Sequence, residues 1–123
     1  MLKLFLFAVT LLASTAWADW TRMGETDEGA FFLDPATIHR NGTVRQVWEL
    51  MDLKQRDEGG ELSRRTLVAY DCAQSRTKVL SISTYWESMA SGQALLSVAH
   101  EGLWKEVPAG TAYAAAFKWV CAH

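Results

Sequence analysis

The chain is poor in the residues that build most recognisable sites. Its 123 residues include two cysteines, two prolines and three histidines, and twelve basic residues nearly cancel fourteen acidic ones. Lys and Arg are scattered among acids, which excludes the clustered positive field that a phosphate backbone requires, so no nucleic-acid partner is expected. Glycine-rich phosphate loops are missing as well. A serine nucleophile on a strained elbow needs G-x-S-x-G, and Ala90-Ser91-Gly92 lacks its first glycine. His39, His100 and His123 are dispersed and form no paired ligand spacing with the cysteines. These absences predict no metal, no cofactor and no catalytic machinery.

Long apolar runs are just as scarce. The one present, Leu4 to Ala13 broken only by Thr10, follows Lys3 and precedes the small-x-small sequence Ala16-Trp17-Ala18. That pattern predicts a secretory signal peptide over residues 1–18 and a single domain over 19–123. The leader is too short to anchor the chain, and no later stretch reaches the roughly 18 apolar residues of a membrane span. The residue after the cleavage point is Asp19, so the lipid-attachment cysteine of a surface-held lipoprotein is missing. Export to the periplasm or beyond is therefore expected without a transmembrane segment or a lipid anchor.

What is present belongs to a folded domain: 50% hydrophobic and 21% charged residues. In an exported chain this small, an even cysteine pair reads as a disulfide, here between Cys72 and Cys121. The closed loop spans 49 positions, for which chain entropy assigns about 4 kcal/mol.

Hydrophobic patterning predicts an α+β fold. A first strand begins at Trp20–Met23, followed by a polar turn from Gly24 to Gly29 and a short apolar run, Ala30-Phe31-Phe32-Leu33. Asp34-Pro35 predicts one helical turn over Asp34–Ile38, since Asp caps helices and Pro suits their first position. Asn41-Gly42 is a hairpin turn. Residues 43–53 read as a long central strand, 55–61 as an exposed charged tip, and 64–72 as the returning strand, with Thr66, Val68, Tyr70 and Cys72 on one face. After a turn at 73–77, residues 78–86 form a further strand with Leu80, Ile82, Thr84 and Trp86 pointing one way and Val79, Ser81, Ser83 and Tyr85 the other. Residues 93–98 and 103–107 are shorter extended pieces, the second ended by Pro108. From Thr111 the period changes. Tyr113, Ala116, Phe117, Val120 and Cys121 follow i, i+3, i+4, i+7, i+8, the stripe of an amphipathic helix with Thr111 as N-cap. The disulfide would pin that helix to the sheet face bearing Cys72.

The order of landmarks resembles the surface-adhesin protein E family. They are Trp20, Phe31-Phe32-Leu33-Asp34-Pro35, Asn41-Gly42 before Val47-Trp48, Leu53, Ser63, Tyr70-Asp71-Cys72, Tyr85, Met89 with Gly92, Trp104 with Pro108, and Cys121. The resemblance implies an exported antiparallel sheet of about six strands with a C-terminal helix tied to it by the disulfide. It also implies adhesion, with a host matrix protein or an envelope protein as partner and the cell surface as a further destination.

Six tryptophans are the one compositional excess. Core filling accounts for Trp20, Trp48 and Trp104, while aromatics beside arginine are the usual anchors of protein interfaces. Tyr85 or Trp86, with Arg64 or Arg65, thus marks a candidate binding face on the side of the sheet opposite the helix. The expected function is a non-enzymatic envelope binding module. The alternative is a structural or chaperone-like periplasmic component that pairs through a sheet edge.

Overall fold

A computed structural model describes residues 19–123; the predicted leader lies outside them. The elements are β1 (Thr21–Glu25), β2 (Gly29–Asn41), β3 (Val44–Leu53), β4 (Ser63–Asp71), β5 (Arg76–Tyr85), β6 (Ala94–Ala99), β7 (Lys105–Glu106) and α1 (Ala112–Ala122). Strands β1 to β6 form an antiparallel meander in sequence order, and the two-residue β7 pairs with β5 beyond the end of β6. Local chemistry explains the turns. Gly42 begins the β2–β3 hairpin at φ +62°, where a side chain would be strained. Gly29 lies so close to β3 that a Cβ would meet the Asp52 carbonyl oxygen.

One expected element is absent. Asp34–Ile38 is not a helical turn but part of β2. Pairing with β1 ends at Leu33, so Pro35 sits where no neighbour on that side asks for its missing N–H. The β2–β3 register slips between Asp34 and His39. Within the slip the Asp34 carboxylate accepts the Ala36 N–H at 3.2 Å, and the Thr37 hydroxyl accepts the Trp48 N–H at 3.0 Å. Side chains thus replace ladder partners, and the Asp-Pro pair makes a bulge instead of a helix start.

Helix α1 begins as its sequence requires: Thr111 Oγ1 accepts the Ala114 N–H at 3.2 Å. Ala116 and Val120 are fully buried and join Phe31, Leu33, Val47, Met51, Leu53, Val68 and Tyr70 in one core. Tyr70 faces Phe117 at 5.6 Å between ring centroids, and Phe31 faces Tyr113 at 4.9 Å. Cys72 and Cys121 are bonded, with Cα atoms 5.6 Å apart. The tryptophans expected in this core are not there. Trp48 is half-buried on the opposite sheet face with the Arg65 guanidinium 3.9 Å over its ring, and Trp104 is half-buried beside Arg76 and Lys78.

Candidate functional site: the open half of the helix-bearing face

Cross-strand pairing assigns each side chain to a face. The register Met51↔Arg64, Glu49↔Thr66 and Val47↔Val68 on β3–β4 continues as Thr66↔Ile82 and Val68↔Val79 on β4–β5, then Ile82↔Val98 and Thr84↔Leu96 on β5–β6. All of these residues share the face that carries the helix. They do so through a bulge: β5 has one residue more than β4 at Leu80, which brings Val79 into phase with Ile82. Plain alternation puts Val79 and Ile82 on opposite faces, so the bulge corrects that expectation.

The helix covers only part of this face. Its main contacts run to β1, β2 and β4, and much of β5 and all of β6 stay outside its cover. Val79 is 37% exposed, Val98 40%, Leu96 47% and Leu103 81%. Beside the helix a cleft of about 310 Å³ opens, lined by Phe31, Met51, Val68, Val79, Ile82 and Tyr113, with Glu28, Glu49, Arg64 and Thr66 as its polar members. It adjoins a hollow of about 600 Å³ that shares Thr77, Val79 and Ile82 and extends to His100 and Leu103. A further cleft of about 550 Å³ lies around residues 53–57, but none of its charged side chains is buried.

Glu49 is the unusual group. It sits in phase with Val47, Met51 and Leu53, pointing inward, and only 8% of it is exposed. Its Oε2 has no hydrogen-bond partner. Burial pushes its carboxyl up to about 8, an effect that the neighbouring Tyr70 phenol partly opposes. Tyr70 is in turn raised, first by burial and then by the neighbouring carboxyl. Tyr113, at the mouth, is also raised by burial and by the charges of Glu28 and Glu49. Arg64 is bonded to Glu28 at the rim.

The residues singled out from sequence fall in different places. Tyr85 and Arg65 are on the face opposite the helix, paired respectively with Ser63 and Ser83, but Arg65 is taken up by Trp48. Arg64 points to the helix side. Trp86, 46% exposed, lies at the end of β5 with the Arg56 guanidinium 3.8 Å over its ring. Of the four, Tyr85 and Arg65 share the face opposite the helix, and Arg64 is turned away from them. Among the described residues no group of three or more His, Cys, Asp or Glu side chains is placed to hold a metal ion.

The described chain is thus an α+β domain: an antiparallel meander with one C-terminal helix bonded to the sheet by a disulfide. The sequence matches the family described as Surface-adhesin protein E over residues 20–122, and the chain belongs to that family. Solved structures agree on the fold. One of Haemophilus influenzae protein E superposes with a TM-score of 0.68 at 13% identity, covering 86% of this chain and 88% of that one. Protein E from a non-typeable strain gives 0.67 at 13% identity over 89% and 79%, and a second crystal form gives 0.63 at 14% over 75% and 80%. No curated protein sequence matches this chain.

Proposed function

We propose that the protein is an exported, non-enzymatic binding module of the bacterial envelope that holds a protein partner on the open half of its helix-bearing face. The observation behind this reading is the row of exposed apolar side chains on β5, β6 and the following loop: Val79, Leu96, Val98 and Leu103. Their contiguity beside the cleft is the mark of an interaction surface. Family membership supports adhesion as the activity, and the leader-like residues 1–18 support export. Among the described residues no helix is long and apolar enough to cross a membrane. Binding tests the reading: purified matrix proteins and envelope extract are passed over the immobilised protein and over a Leu96→Lys, Val98→Lys double variant. Retention lost in the variant and kept by Trp86→Ala is expected. Retention lost by Trp86→Ala alone would move the site to the end of β5.

A second reading rests on β6 itself. All six of its residues are exposed and it ends the strand order. A free edge of that length is a template for pairing with another strand, as a structural or chaperone-like component would use it. Self-association on a sizing column that disappears in the same double variant, with no retained partner, favours this alternative.

A further inference from the structure

Resting on the reading of the open face as the binding surface, we infer that the cleft at its deep end is a subsite for a primary ammonium on an unbranched apolar stem, the chemistry of a lysine side chain on the bound partner. Four observations lead there. The walls are apolar or aromatic, from Phe31, Met51, Val68, Val79, Ile82 and Tyr113, which suits a hydrocarbon stem. The Glu49 carboxyl lies at the bottom, more than nine-tenths buried, with Oε2 unpartnered. A buried acceptor left empty costs free energy that an entering N–H donor recovers. The only guanidinium lining the cleft, Arg64, is bonded to Glu28 and not to Glu49.

Competing ligand types fit worse. An anion would face the Glu49 carboxyl. A purely apolar group would leave Oε2 empty, as would a quaternary ammonium, which has no N–H. A guanidinium is a wide planar fork suited to two oxygens presented at once, whereas Oε2 is the one Glu49 oxygen that is buried and without a partner here.

Binding of a cation beside Glu49 changes its protonation. The groups facing this carboxyl are Tyr70 and Arg64 from β4, Tyr113 from α1 and Glu28 from the loop before β2; β2 and β5 present no charged group to it. With the carboxyl titrating near 8 in the empty cleft, uptake of an ammonium at pH 7 should release about one proton, and at pH 9 almost none.

The experiment is calorimetry on the full protein with n-hexylamine, n-hexanol, hexyltrimethylammonium, and a capped valine-flanked pentapeptide whose central residue is lysine or norleucine. Each titration is repeated in buffers of different ionisation enthalpy to count protons. Hexylamine and the lysine peptide are expected to bind at least tenfold more tightly than their neutral and quaternary counterparts. About one proton should be released at pH 7, and both the preference and the proton should vanish in Glu49→Gln, which keeps the shape of a protonated glutamate. Equal affinity for hexanol and hexylamine, or a preference that survives in Glu49→Gln, overturns the subsite. Hexylamine binding without lysine-peptide binding overturns the lysine assignment. If Leu96→Lys, Val98→Lys abolishes partner retention while Glu49→Gln leaves it intact, the binding face stands and the subsite falls.

Discussion

At the scale of single residues, the position that matters most is a charged group where the pattern of its strand calls for an apolar one. Val47, Glu49, Met51 and Leu53 alternate inward, and the middle of that row is an acid. The folded protein holds the Glu49 proton up to about 8, whereas the unfolded chain gives it up near 4.5. The folded state thus binds the extra proton between these values. The stability linked to it is fully present below the lower one and lost as the pH rises through the upper. Thermal unfolding should therefore occur at a lower temperature at pH 9 than at pH 5, the stability lost being on the order of a few kcal/mol. Glu49→Gln should flatten that slope and exceed the native protein in stability at pH 9. An unchanged slope would mean that another group sets it. Asp71, which its Arg76 hydrogen bond holds below the ordinary carboxylate range, acts in the opposite sense and only at lower pH, outside this window.

At the scale of elements, the helix clamp was legible and two irregular strand segments were not. Five residues at helical spacing and a threonine cap identified α1 because both signals are local, and the cysteine pair told which sheet face receives it. Reducing the disulfide, or the Cys72→Ser, Cys121→Ser double variant, should cost about 4 kcal/mol in urea unfolding. Alkylation of the native protein without reductant should label no thiol. Val120→Ala, at a fully buried position, should cost about 1.5–3 kcal/mol, and Thr111→Ala about 1 kcal/mol through the lost cap. Asp34-Pro35 deceived because the same two residues that open a helix also fit a bulge on a strand whose neighbour has ended. The β1–β2 register decides between them, and it is a long-range property. The extra residue at Leu80 has no sequence signal either, yet it turns Val79 inward and so completes the apolar wall of the cleft. Of the candidate site, only Glu49 could have been recognised, as the out-of-place acid in an alternating strand.

At the scale of the molecule, sheet and helix differ in reach. The helix spans β1 to β4, while two further strands extend past it with apolar side chains on the same face. Trp48 on the other face is engaged within the molecule by Arg65, and Trp86 beyond the end of β5 by Arg56, so both have less to offer a partner. A surface that is apolar at its outer edge and acidic at its deep end suits a partner strand or loop that lays down apolar side chains and inserts one cation. Side-chain footprinting with hydroxyl radicals, on the protein alone and in complex with the partner it retains, tests this most directly. Labelling of Leu96, Leu103 and Tyr113 should fall on binding while that of Tyr85 and Trp48 stays unchanged. Protection of Tyr85 and Trp48 with Leu96, Leu103 and Tyr113 still reactive would contradict the account.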